Sequence, residues 1–276
     1  MSLLPPGRFL MPGDLEGSPA LTFAPLDLQD GAALPASSLG AMMERRFQSY
    51  KSAVVRPFFR DHFARLDHQI VLVDALSALN AGPAALSDLE RALDSILVAF
   101  RVGRNSLMSA LLRPRIEKVL FAATKADHLH RASHDRLEAI LRRLVDRALA
   151  RAREGGARID VAALAAIRAT READVSKGGR SIAAIIGTPE AGQEAGGQVF
   201  DGSGEVALFP GALPADPDAL FAAEGAAFRG LASGPDSEAD FRFLRFRPPA
   251  GIGATSPLPH IRLDRALQFL LGDRLK

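Results

Sequence analysis

Hydrophobic positions along this chain fall into helical stripes, continuous apolar runs and short alternating stretches, and each kind predicts a different element. From Leu39 to about Leu66, Met42, Met43, Phe47, Val54, Val55, Phe58 and Phe59 keep mostly helical spacing. Pro57 lies inside that stripe and predicts a kink or interruption, because it lacks an N–H and crowds the preceding turn. Gln69-Ile70-Val71-Leu72-Val73-Asp74 is a continuous apolar run with β-branched residues, as expected of a parallel strand buried on both faces. Val119–Ala123 is a second such run. Between them, Gly82-Pro83 opens a helix to about Phe100, with Leu86, Leu89, Leu93, Ile96, Leu97 and Phe100 on one side. A short helix is expected at Ser106–Leu112.

Beyond the second run, Ser133 predicts a cap for a long helix over Asp135–Arg153, with Leu137, Ile140, Leu141, Leu144, Val145 and Leu149 inward. Gly155-Gly156 stops it. Arg158–Thr170 contains a third candidate strand, although its Ala-rich middle fits a helix equally well. The order strand–helix–strand–helix–strand argues for a parallel sheet joined by crossovers. The pattern then changes. Residues 174–260 are rich in Gly and Pro, with short strands expected at Ser181–Ile186, Glu205–Phe209 and Phe241–Phe246. Leu263–Leu271 reads as a closing amphipathic helix. Residues 1–40 read as irregular, broken by Pro5-Pro6-Gly7, Pro12-Gly13-Asp14 and Gly31, with short strands at Arg8–Met11 and Ala20–Phe23.

Composition narrows the class only slightly. A chain of 276 residues is long enough for one large α/β domain or two small ones. Cysteine is absent, which excludes disulfides and thiolate metal sites and fits a reducing compartment. No apolar run approaches the roughly 20 residues of a membrane span, and Met1–Gly7 lacks the basic start and apolar length of a signal peptide. A cytoplasmic location is expected, with peripheral contact to the inner membrane as an extension. Basic residues are mostly Arg, but a net charge of +2 favours solvated basic faces over an anionic partner.

The second apolar run ends directly in Thr124-Lys125-Ala126-Asp127. This is the form of the [NT]-K-x-D base-recognition motif of GTPases. There the Asp carboxylate accepts from N1–H and the exocyclic amine of guanine, and the Lys stem covers one face of the base. A lone tetrapeptide of this kind is weak, since Asp at a strand end often caps the next helix. Its place at the carboxyl end of a buried strand strengthens it, because open α/β sheets bind ligands there. A phosphate loop requires Gly-Lys followed by Ser or Thr, and none of Lys51, Lys118, Lys125, Lys177 and Lys276 follows a glycine. The chain therefore reads as a base-reading half-site without its phosphate-binding half.

Other candidates are weaker. Arg168-Ala169-Thr170, at the end of the third strand, offers backbone N–H groups to a base edge, with strand-end packing an equal alternative. Asp74 imitates a magnesium-holding strand-end Asp, with a structural or helix-capping role as the alternative. Asp14-Leu15-Glu16-Gly17 fits D-x-x-G, but the preceding Pro12-Gly13 marks a turn. His128, His130 and His134 are expected as exposed loop histidines rather than zinc ligands. Arg142, Arg143, Arg147, Arg151 and Arg153 form a helical stripe, interleaved with Glu138 and Asp146, that reads as a solvated face. Without tryptophan and with Tyr50 as its single tyrosine, the chain offers little for nucleic-acid stacking, so nucleic acid is not expected as a partner.

Several separate strings carry a resemblance: Pro6-Gly7-Arg8-Phe9-Leu10-Met11-Pro12-Gly13-Asp14, His68–Asp74, Leu120–His128 and Leu258-Pro259-His260-Ile261-Arg262-Leu263-Asp264. Together they resemble the YcjX-like family of bacterial P-loop NTPases, over nearly the whole chain. Members of that family are longer, begin with a Walker A loop and carry a D-x-P-G-type switch before the region seen here. The family is associated with stress response and sits near phage-shock genes. The resemblance implies an α/β fold with a partial P-loop NTPase-type parallel sheet flanked by helices, a β-rich Gly/Pro-rich insertion and a C-terminal helix. It implies a lead-in at 1–40, the second half of the α/β domain at 41–173, the insertion at 174–260 and a returning helix at 261–276. GTP or GDP with Mg²⁺ would be the ligand of the complete protein, with ATP less favoured. Thr124, Lys125, Asp127, Ala169 and Thr170 would contribute the base pocket, with no catalytic or metal-binding group from this chain. Alone, the chain is expected to bind nucleotide weakly and to expose an apolar sheet edge prone to self-association or to a protein partner. The alternative is a non-enzymatic, stress-related or membrane-associated interaction module whose base site is vestigial.

Overall fold

The computed structural model describes residues 23–24, 26, 34–57, 66–99, 116–154, 156–177, 180–195, 197–221, 243–249 and 257–275. The chain divides into two compact units, residues 1–66 with 108–115 and residues 67–107 with 116–276. The short strands expected at Arg8–Met11 and Ala20–Phe23, the Asp14–Gly17 string and the Ser106–Leu112 helix lie outside the described residues, apart from Phe23.

In the first unit, α1 (Leu39–Tyr50) starts at Ser38, whose side chain accepts from the Ala41 N–H. It runs into a π-helical turn at Lys51–Val55, where the Arg56 N–H reaches back to the Lys51 carbonyl. The interruption expected from Pro57 thus takes the form of a widened turn just before the proline. A wider turn is one way of accommodating a side chain or a missing donor without breaking the helix. Phe23 stacks obliquely against Phe47 and Tyr50, with ring centroids 5.2 and 5.3 Å away.

The second unit is built on a parallel sheet in the order β1 (His68–Val73), β2 (Lys118–Ala123), β3 (Arg158–Ala163). The strands run in register, His68 beside Lys118 beside Arg158 and Val73 beside Ala123 beside Ala163. Helices α2 (Ala75–Ala81) and α3 (Pro83–Ala99) follow β1, with Gly82 at φ 95° making the turn between them. After β2 come α4 (His134–Leu144) and α5 (Asp146–Glu154). The single long helix expected over Asp135–Arg153 is therefore two, broken at Val145, whose φ of −108° and ψ of 14° leave the helical region. Ser133 precedes α4 but makes no side-chain cap.

Residue alternation divides the sheet's two faces. Val119, Phe121 and Ala123 of β2 join Leu76, Leu79, Leu137, Ile140 and Leu141 in the main core. Leu120 and Ala122 point the other way and pack with Ala162, Leu164, Ala266 and Leu270 under α6 (Leu263–Leu271). All six β2 residues are buried, which satisfies the two-faced burial expected of it. In β1 that expectation fails. Ile70 and Leu72, the register partners of Leu120 and Ala122, are 39% and 60% exposed. Among the described residues β1 has a strand on one side only, and the α6 cluster is built on β2 and β3 residues.

The third strand ends at Ala163, so Arg168–Thr170 lie in the connection that follows it. A second sheet then forms from antiparallel strands β4 (Arg171–Lys177), β5 (Arg180–Gly187) and β8 (Val206–Leu208), with a small hairpin of β6 (Glu194–Ala195) and β7 (Gln198–Val199). β4 was not expected: its alternation is weak, and pairing with the more apolar β5 decides its conformation. Of the strand expected at Phe241–Phe246, the described part makes only an isolated bridge, Phe246 to Pro189.

Candidate functional site at the carboxyl end of the parallel sheet

Because the strands end in register, the loops leaving β1, β2 and β3 meet at one level. Thr124 extends the ladder, its N–H donating to the Val73 carbonyl at 3.0 Å, and the Leu164 N–H donates to Ala123 at 2.7 Å. Lys125 then turns the chain in the left-handed conformation, φ 62° and ψ 33°. Such a conformation costs a non-glycine residue about 1–2 kcal/mol. It swings Ala126–His128 into a single 3₁₀ turn, where the Ala126 N–H donates to the Leu164 carbonyl at 3.1 Å.

This turn places Asp127, only 4% exposed, against the connection after β3. Its Oδ2 accepts from the Ala169 N–H at 2.9 Å. Its backbone carbonyl accepts from the Thr170 hydroxyl. The other carboxylate oxygen, Oδ1, accepts no hydrogen bond among the described residues. The residues singled out from sequence are thus brought together, but Ala169 and Thr170 hold Asp127 rather than standing beside it as independent donors.

Lys125 makes a different contact from the one its motif suggests. Its ammonium lies 2.6 Å from Asp74 Oδ2 at the end of β1. Asp74 also caps α2, accepting from the Ser77 N–H at 3.1 Å and the Ser77 hydroxyl at 2.7 Å. The capping role expected of Asp74 is present, with a second role added. Burial pushes the Asp74 carboxyl up, but the hydrogen bonds from Lys125 and Ser77 outweigh it and hold the group below its ordinary value.

Two of the three histidines contradict their expected exposure. His128 is 8% exposed, edge-on to Phe246 at 5.3 Å, and burial holds its imidazole below the ordinary value. His134 is 5% exposed and donates from Nε2 to the Ala126 carbonyl at 2.9 Å, bracing the turn that carries Asp127. His128 lies against Phe246, far along the chain, and His134 turns back onto the loop's own carbonyls, contacts that the polar loop composition hides. Among the described residues, no group of three or more His, Cys, Asp or Glu side chains is placed to hold a metal ion.

The arginine stripe is largely engaged. Arg143 donates to Asp218 at 2.7 Å and Glu90 at 2.9 Å and lies 4.5 Å over the Phe221 ring. Arg147 donates to Asp94 at 3.1 Å. Sequence reasoning missed two supports of the site. Gly187, ending β5, has no room for a side chain, since a Cβ there would meet Phe246 at 2.8 Å and the Ala169 carbonyl at 3.2 Å. Glu138 of α4 accepts through Oε1 from the Ala163 N–H at 3.0 Å, tying the helix to the end of β3. Neither carries a local signal.

The family model described as YcjX-like family, DUF463, matches residues 1–275. The chain belongs to the YcjX-like family. Similar proteins include a "Ras-like GTPase YcjX" of Escherichia coli strain K12, 36% identical over 282 aligned positions that take in the whole chain and 56% of the relative. A "Ras-like GTPase YcjX" of Shewanella oneidensis MR-1 is 34% identical over 98% of the chain and 53% of its own length. The chain spans about half the length of the curated relatives it matches. Its parallel sheet flanked by helices is the α/β fold that the YcjX-like resemblance implied. Among the described residues, no helix is long and apolar enough to cross a membrane.

Proposed function

We propose that this chain is the base-reading part of a guanine-nucleotide-binding protein, with Asp127 as the residue that selects guanine. The observation that carries the reading is the half-engaged Asp127 carboxylate. The Ala169 N–H fixes one oxygen while the other accepts no hydrogen bond among the described residues, so the group is oriented before any ligand arrives. A fixed carboxylate accepts from two parallel N–H donors, which guanine offers and adenine does not. The Lys125 stem, leaning from the turn toward Asp74, would cover one face of the base, and Thr124 holds the turn to β1. The relatives named as Ras-like GTPases support the guanine preference.

The phosphates and Mg²⁺ would be held by groups outside this chain, because it has no Gly-Lys pair. Among the described residues β1 has one open edge and an exposed face at Ile70 and Leu72, which suit the addition of a parallel strand and helix bearing a phosphate loop. In that reading the chain alone binds GDP weakly and hydrolyses nothing, and the assembled protein acts by positioning and charge neutralisation.

The test is Asp127→Asn in the chain joined to a phosphate-loop half, with GDP, XDP and ADP competing for the site. An amide presents one donor where guanine also presents a donor. Loss of a charged hydrogen-bond pair is worth about 1.5–3 kcal/mol, so GDP affinity should fall roughly tenfold to hundredfold. XDP, with an acceptor in place of the exocyclic amine, should gain. An unaltered GDP:XDP ratio leaves Asp127 as a structural turn residue and favours an interaction module with a vestigial site.

A further inference from the structure

We propose that Arg262 is a positioning residue for the Asp127 carboxylate, acting through the strand-like pairing of residues 259–261 with the loop that presents the Ala169 N–H. The inference rests on the base-reading role of Asp127 for its functional meaning, but its geometry stands separately.

Arg262 is one of two described non-glycine residues with positive φ, at 56°; the other is Lys125 of the base-recognition turn. Such a conformation persists where the surroundings over-determine it. Here the surroundings are two carboxylates on α4. The guanidinium donates to Asp135 Oδ1 at 2.8 Å and to Glu138 Oε1. Burial works against the charge, but the bonds to Asp135 and the field of Glu138 raise the guanidinium above its ordinary value. Glu138 is itself fixed by the Ala163 N–H at the end of β3, and Arg265 approaches the same oxygen at 3.4 Å.

What this clamp holds is the segment just before it. Ile261 and Ala165 exchange backbone hydrogen bonds at 2.9 and 3.1 Å, and the Arg168 N–H donates to the Pro259 carbonyl at 2.7 Å. Pro259–Ile261 thus act as a short antiparallel partner for the loop after β3. The next N–H in that loop is that of Ala169, which meets Asp127 Oδ2. The Leu258–Asp264 string, which the base site does not otherwise use, thereby acquires a role: it is the template on which the Asp127-orienting loop is laid. A helix anchor alone requires no pairing with that loop. α6 already has its own tethers in the apolar cluster with Leu120 and Ala162 and in the Lys118–Asp273 pair at 2.6 Å.

The test follows the Ala169 amide by ¹⁵N-resolved NMR in the full chain without nucleotide. In the wild type this amide should exchange slowly with solvent because it donates to the Asp127 carboxylate, and Asp127→Ala should speed that exchange roughly tenfold. Arg262→Ala should give at least half of that gain on a logarithmic scale while the Leu141 and Val161 amides keep their exchange rates. Arg262→Lys, which keeps the charge but not the two-pronged geometry, should fall in between. If Arg262→Ala fails to fold, Asp135→Asn weakens one prong and carries the same expectation at smaller amplitude. A folded Arg262→Ala with wild-type protection of the Ala169 amide overturns the proposal, as does a uniform change in exchange across the domain. Because no nucleotide is present, this outcome is independent of whether Asp127 selects guanine.

Discussion

β1 and β2 are neighbours of equal length and similar composition, yet they have opposite surroundings. β2 buries all six residues, including Lys118 at 3% exposure, whereas in β1 only Val73 is buried. Their apolar runs are nearly interchangeable as sequence. What differs is position: β2 has a strand on each side and helices above and below, while β1 has one strand and, over Ile70 and Leu72, no helix among the described residues. Apolar content announced that both strands seek burial. Only the neighbours decide which obtains it.

The largest expected contrast comes from matched truncations. Phe121→Ala removes a side chain 1% exposed and should cost about 3–5 kcal/mol, transfer and cavity together. Leu72→Ala, at 60% exposure, should cost less than about 1 kcal/mol. Urea unfolding of both variants checks this. Equal losses would mean that Leu72 is covered in solution.

A sharper version replaces the exposed leucine with a charge. An open apolar edge strand templates association, so the chain should self-associate with rising concentration, and Leu72→Lys should shift it toward monomer with little change in melting temperature. Light scattering across a concentration series measures it. A wild-type chain that stays monomeric throughout removes β1 as a sticky edge.

The smallest effect concerns the lysine that β2 buries. Lys118 donates to Asp273 Oδ1 at 2.6 Å and to the Leu270 carbonyl at 3.4 Å. The bond from Lys118 outweighs desolvation and lowers the Asp273 carboxyl from 3.8 to about 2. A carboxyl depressed on folding stabilises above its unfolded value, and that contribution disappears as pH falls through the folded one. The wild type should therefore exceed Asp273→Asn in melting temperature at neutral pH, and the gap should close between about pH 4 and 2. Asp273 is half-exposed, so solvent screening keeps the gap small. A gap that persists unchanged below pH 2 assigns the effect to something other than this pair.

Much of the frame was legible because it is written locally. The runs at 69–74 and 119–123 became β1 and β2 within a residue, Gly82-Pro83 opened α3, and α5 ended at Glu154 just before the Gly155-Gly156 pair. The tetrapeptide at 124–127 stood out because its residue types are chemically particular, and it lies at the carboxyl end of β2 as its place in the sequence implied. What escaped was whatever depends on partners distant in sequence. The break at Val145 is not marked by Gly or Pro. The burial of His128 needs Phe246, and the orientation of Asp127 needs Ala169, 42 positions away. Glu138 looked like one more charge on a solvated helix until Ala163 and Arg262 closed on it.

The common register of the three strands also has an evolutionary consequence. Each strand works as a ruler, delivering its terminal residue to the same height as its neighbours'. Substitutions alter what is presented there, but a length change alters where. Losing one residue from β2 would draw Thr124 back by about 3.3 Å and exchange the faces of every residue beyond the deletion. Losing two would preserve the faces yet leave the tetrapeptide sunk between its neighbours. Away from Thr124–Asp127, Ala169, Gly187 and Pro259–Ile261, the loops and the second sheet can change in both length and letter, while inside the six-residue strands only the letters can change.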